Sequence, residues 1–139
     1  MFFFWLCVFL ALIRLPFSPL KSGPFNAGEL LCTASADGSV RLWDARMSSR
    51  GCYSTIATRA DESLLGIDTA GAVIACAGKG RTLYLFDVAS EEPLRRLEQH
   101  HGDWIHSVAL DAGAERVFSC GRDKVLSCCF FPHVCVFIL

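Results

Sequence analysis

The pairs Trp43-Asp44 and Phe86-Asp87 lie 43 residues apart, and each closes an alternating apolar run behind a tight turn. A repeat at this spacing constrains the chain more than any single residue does, because every copy must take an equivalent place in one architecture. Superposing the copies sets Leu31 against Ile74 and Val117, Thr33 against Cys76 and Ser119, and Asp37 against Gly80 and Asp123. Apolar positions meet apolar ones and turn positions meet turns. A period of about 40–45 residues fits a four-stranded unit.

Alternation of apolar and other residues marks the strands within each copy, and small or Asp-Gly-type clusters mark the turns. It predicts strands over Glu29–Ser35 and Ser39–Asp44, with a weaker one over Cys52–Thr58. The cycle restarts with Ser63–Asp68, Ala72–Ala77, Thr82–Asp87 and Pro93–Leu97, and again with Trp104–Leu110 and Arg116–Cys120. Along Ser39–Asp44, Val40 and Leu42 fall on one face and Arg41 and Trp43 on the other. No stretch keeps a helical period, so the fold class is all-β.

Charge divides the chain into three zones. Residues 1–20 hold one charge, Arg14, and residues 125–139 hold no Asp, Glu, Lys or Arg. The domain reading follows: an apolar flank over 1–23, a repeat domain over 24–124 and an apolar, Cys-rich flank over 125–139. The head has the length of a signal core, but no basic residue precedes its apolar run and no A-x-A-like site follows. To span a bilayer it would have to include Arg14, Pro16 and Pro19. Both flanks are rich in residues with pyrimidine-rich codons, the pattern of a gene-model or splicing artefact. Of the eight cysteines, Cys32, Cys76 and Cys120 lie in apolar runs and are expected as buried free thiols.

Two segments carry a family resemblance. TASADGSVRLWD, Thr33 to Asp44, and HHGDWIHSVAL, His100 to Leu110, resemble the WD40 repeat, the second with His at the Gly position of the family's Gly-His link. The resemblance implies a β-propeller, here an incomplete one of about two to three four-stranded blades with apolar flanks. It also implies a platform for other proteins rather than an enzyme. The family's structural network of His, Ser or Thr, Asp and Trp maps onto Thr33, Asp37 and Trp43 in the first cycle. In the third it maps onto His101, Ser119 and Asp123, with Cys129 at the Trp position. The second cycle offers Cys76, Gly80 and Phe86, so packing is expected to replace the network there. SPLKSG stands where the first strand of the first cycle should run, and VLSCCFFPHVCVFIL follows Asp123 in place of a strand ending in Trp-Asp. The repeat is therefore expected to stop in mid-blade at both ends, as a fragment of a larger propeller.

Chemistry is sparse. His101, Ser119 and Asp123 fall on the structural network, and no G-x-S-x-G surrounds the Ser, so no catalytic residue is expected. The carboxylate pairs Asp61-Glu62 and Glu91-Glu92 read as solvated loop charges. Cys128, Cys129, His133 and Cys135 have zinc-type ligands but lack the CxxC knuckle, so no metal is expected. Gly78-Lys79-Gly80 is no P-loop, so no cofactor is expected. Basic residues are dispersed among acids at a net charge of −1, which argues against nucleic acid.

Candidates for contact with a protein partner are Arg41, Trp104 and His106. A membrane role rests on residues 1–20 alone, and self-association is expected of a propeller that cannot close. A cytoplasmic or nuclear location suits the repeats; a membrane or secreted one would require a genuine N-terminal segment. A second reading, from a different class, is a small membrane-anchored or secreted protein. A third is a truncated product without independent function.

Overall fold

A computed structural model describes residues 9–14, 29–44, 52, 54–58, 62–130 and 134–138. The remainder of the head and His133 lie outside the described residues. The strands are β1 (Phe9–Arg14), β2 (Glu29–Ala34), β3 (Ser39–Asp44) and β4 (Ser54–Ala57), then β5 (Leu64–Ala70), β6 (Val73–Gly78), β7 (Leu83–Asp87) and β8 (Pro93–Leu97). The last four are β9 (Ile105–Leu110), β10 (Arg116–Gly121), β11 (Leu126–Phe130) and β12 (Val134–Ile138). They form three four-stranded antiparallel meanders in chain order, β1 to β4, β5 to β8 and β9 to β12. The all-β class and the four-stranded repeat hold, and the three sheets do not close into a ring.

Sheet membership crosses the zone borders drawn from charge. The strand missing from SPLKSG is supplied farther upstream, where β1 pairs with β2 in the register Phe9↔Ala34 to Arg14↔Glu29. After Asp123, Leu126–Phe130 pairs with Arg116–Cys120, and β12 adds the outer strand. An apolar run without turn residues satisfies the ladder wherever an edge is open, because pairing uses the backbone.

The second sheet is buried on both faces, and this sets how the three sheets stack. Along β7, Tyr84 and Phe86 point one way and Leu83 and Leu85 the other, with all four buried. Tyr84 and Phe86, with Ile74 and Cys76, pack on Cys32, Ala34, Val40 and Leu42 of the first sheet. Leu83 and Leu85, with Ala75 and Ala77, pack on Ile105, Val108, Val117 and Cys129 of the third. The period-two pattern thus builds two cores from one sheet. Side-chain links span the same junctions: Ser54 Oγ donates to Glu91 (2.6 Å), and Leu110 N donates to Asp68 Oδ2 (2.7 Å). Gly66 lets β5 close on β9, since a Cβ there would lie 3.1 Å from Ser107 Cα.

The outward face of the third sheet is different. Leu126 and Phe130 are 41% and 43% exposed, and Cys120 is exposed beside them. Burial was expected for Cys120. It lies opposite Leu126 and Ser107 on the face of that sheet turned away from the second sheet. Cys32 and Cys76 are buried, and burial pushes the Cys32 thiol up to about 12. The six cysteines whose side chains are described, Cys32, Cys52, Cys76, Cys120, Cys128 and Cys129, are free.

Replacing Leu85, which is 1% exposed, by Ala removes a buried side chain from the second junction and should cost about 2–5 kcal/mol. Leu94→Ala, at an exposed position on β8, should change stability by less than about 0.5 kcal/mol. Urea midpoints of the full chain measure both.

Candidate functional site

A buried polar cluster lies where the link after β8 enters the third sheet. His101 sits on that link, Ser119 on β10 and Asp123 in the β10–β11 turn, and the hydrogen bonds bring all three together. His101 Nδ1 lies 2.9 Å from Asp123 Oδ2, and His101 Nε2 lies 2.9 Å from Ser119 Oγ. A carboxylate only accepts, so His101 donates from Nδ1 and accepts the Ser119 proton at Nε2. The Ser119 oxygen is then open to a donor, and His100 Nε2 lies 3.2 Å away. Cys129 Sγ stands 3.7 Å from the same His100 nitrogen.

Burial, and then the neighbouring His101, lower the pKa of His100 to about 4, so its imidazole is neutral at pH 7. Burial works against the Asp123 carboxylate. The backbone N–H groups of Val125 and Gly102, with His101, outweigh it and hold the pKa below the usual range.

The hydrogen-bond order Ser119–His101–Asp123 is that of a hydrolytic triad, but the setting is not. Ser119 is 1% exposed, with its hydroxyl between two imidazoles, so no substrate carbonyl can reach it. Cys128 and Cys129 are successive residues on β11 and face opposite ways. His133 and the Cys135 side chain lie outside the described residues. No group of three potential ligands occurs among the described residues.

In the first sheet Trp43 Nε1 donates to Thr33 Oγ1 at 2.9 Å. Asp37 is separate from that pair. It accepts from Ser39 Oγ (2.6 Å), Ser39 N (2.9 Å) and Arg41 (2.7 Å), and the Ser39 hydroxyl does most to hold its pKa well below the usual range. Arg41 is therefore engaged with its own turn. In the second sheet the Gly80 position holds no side chain, and a Cβ there would fall on the Glu62 carboxyl. Glu62 instead reaches in from the preceding link and accepts the Tyr84 hydroxyl, whose pKa burial and Glu62 push up to about 12. A carboxylate thus occupies the Asp position of all three sheets, twice from the turn and once from elsewhere.

Trp104 is 37% exposed, with Lys79 Nζ 4.8 Å and Arg122 Cζ 5.5 Å from its ring centroid. His106 is exposed on β9.

The family profile described as WD domain, G-beta repeat matches residues 23–44 and 91–128. Those two segments contain Thr33, Asp37 and Trp43, and His101, Ser119 and Asp123. These segments are WD40 repeats.

The chain is also 29% identical over 116 residues to the DENN domain and WD repeat-containing protein SCD1 of Arabidopsis thaliana. That match covers 73% of this chain and 9% of the relative's length. WD40 repeats imply a protein-interaction scaffold, and proteins built from them generally lack chemistry of their own.

Within the WD40 frame, two residues that the sequence marked only as departures from the repeat, His100 and Cys129, join the polar cluster of the third blade. His100 stands at the Gly position of the link, and Cys129 at the Trp position of the same blade. The small Cys129 leaves room beside Ser119, and His100 supplies the N–H that Trp43 supplies to Thr33 in the first blade. The signal was the coincidence of the two departures in one repeat. Glu62 gave no comparable sign, because it lies outside the aligned positions.

Installing the indole without removing the imidazole should overcrowd the site. Cys129→Trp alone should cost about 1–3 kcal/mol, and combining it with His100→Gly should recover most of that loss. A double-mutant cycle by urea unfolding measures the coupling; additive effects would contradict the exchange of roles. The folded pKa of His100 near 4 lies below the unfolded value of about 6.5, so the unfolded chain takes up the proton first. The contribution of neutral His100 is complete above about pH 6.5 and drains as the pH falls toward 4. Urea midpoints of the full chain should fall across that window, and less steeply for His100→Gln.

Proposed function

We propose that this chain is a segment of a larger WD40 propeller that serves as a protein-interaction scaffold. The carrying observation is the stacking. One blade is buried on both faces, while the last presents Leu126 outward from a position whose equivalents, Val40 and Leu83, face a neighbouring blade, with Phe130 exposed on the same face. Three blades fall short of the four to eight that close a propeller ring. In this reading the outward face belongs against a further blade. The Arabidopsis relative bears DENN and WD repeat in its name, and the chain matches 9% of its length. That proportion supports a repeat segment within a longer protein. Thr33, Trp43, His101, Ser119 and Asp123 hold blades together in this reading, and Asp37 fixes its own turn. Trp104 and His106 remain on the surface for a partner, and Arg41 stands beside them as a weaker candidate because Asp37 holds it.

A membrane anchor at residues 1–20 has no comparable support: Phe9–Arg14 is a strand paired with β2, and among the described residues no helix is long and apolar enough to cross a membrane.

Full-length transcripts across codons 24–124 should encode further Trp-Asp-type repeats at a similar spacing. An abundant message with no additional repeat would contradict the proposal. Expressed as it stands, the chain should associate in light-scattering chromatography, and Leu126→Ser with Phe130→Ser should reduce that association. A sharp monomeric peak with cooperative unfolding for the unaltered chain would also count against the reading.

A further inference from the structure

Four cations that the sequence scatters are gathered at one end of the second and third blades. Lys79 and Arg81 lie in the β6–β7 turn, and Arg122 and Lys124 in the β10–β11 turn; all four are exposed. They are repeat equivalents, since Lys79 and Arg122 differ by the 43-residue period, as do Arg81 and Lys124. Even the backbone repeats: Arg81 and Lys124 both take left-handed φ, 62° and 64°. The first blade has Ala36 and Gly38 at these positions, so the charge is confined to one side.

Trp104 joins the two turns, with Lys79 and Arg122 both over its ring. The acids of this end are mostly spent inward. Asp123 is taken by His101 and the backbone of Gly102 and Val125, and Glu62 by Tyr84. Among the described residues Asp103 approaches Arg122 at 3.7 Å and also accepts the Trp104 backbone N–H, and Glu98, just after β8, pairs with Arg96 at 3.0 Å. The four cations thus project to solvent from the two turns, while the Asp123 and Glu62 carboxylates beside them are turned inward onto hydrogen-bond donors.

We propose that the two turns and Trp104 form a docking surface for an acidic peptide segment of a partner protein. The assignment rests on the scaffold reading and names the chemistry of its partner. Carboxylates on an extended segment would meet a cation pair from each blade, with the Trp104 edge as the apolar contact between them. A nucleic acid fits less well, because single strands need successive stacking platforms and this end offers one ring already engaged by two cations.

Binding of a fluorescein-labelled Glu-Gly decapeptide to the full chain by anisotropy tests the assignment. A Gln-Gly decapeptide, a single-stranded oligonucleotide of equal charge and anionic vesicles serve as comparators. The acidic peptide should bind best and weaken with added salt. Lys79→Glu with Arg122→Glu should cost at least about tenfold in affinity, while Arg116→Glu, at the far end of β10, stays within about twofold. Arg81→Glu with Lys124→Glu leaves the Trp104 ring contacts in place and should show the same loss, which keeps the test valid if the first double variant misfolds.

Equal binding by all variants would overturn the proposal, as would tighter binding of the oligonucleotide or vesicles. No preference of the unaltered chain for Glu over Gln peptide would overturn it too, without touching the scaffold reading, which the transcripts and the association state test separately.

Discussion

Burial of the second blade on both faces is the condition on which the other blades depend. A single four-stranded sheet of this length cannot bury an apolar face by itself. Leu83 and Leu85 on one side of β7 and Tyr84 and Phe86 on the other give each neighbour a surface to lie on. Each fully buried side chain of this size contributes about 1.5–3 kcal/mol relative to exposure. The stack therefore gains most at its centre and least at its outer face, where Leu126 and Phe130 stay in contact with solvent.

Polar groups then fix how the blades sit, because a buried hydroxyl or carboxylate must be paired. The three blades meet this need with different residues in the same places. Thr33 is paired by Trp43, Ser119 by His100 and His101, and the empty Gly80 position is filled by Glu62. The requirement is for a donor or an acceptor at a point in space, and the chain meets it from whichever segment passes nearby. That freedom explains how a blade without the repeat's usual residues can stand between two that keep more of them.

Most strands were legible in the sequence because alternation and turn chemistry are local. The 43-residue register placed equivalent residues correctly, down to the face occupied by Val40 and Leu42. What escaped was non-local. β1 lies upstream of the SPLKSG stretch where a strand was sought, and apolar runs such as β11 and β12 carry little alternation to announce them. Cys120 looked like a core residue because its run is apolar, but only a third-dimensional neighbour decides which face is covered. Likewise Lys79, Arg81, Arg122 and Lys124 read as dispersed charge along the chain, although their repeat equivalence already implied that the fold would bring them to one end.

Native-state hydrogen exchange on the full chain tests the stacking most directly, since protection follows burial and cooperative structure. Amides of β6 and β7 should be the slowest to exchange, followed by β10. The outer strands β4 and β8, each with one unpaired edge, should be fastest among the described strands of the first two sheets. A uniform profile, or greater protection in β4 and β8 than in β6 and β7, would contradict a fold organised around a centrally buried blade.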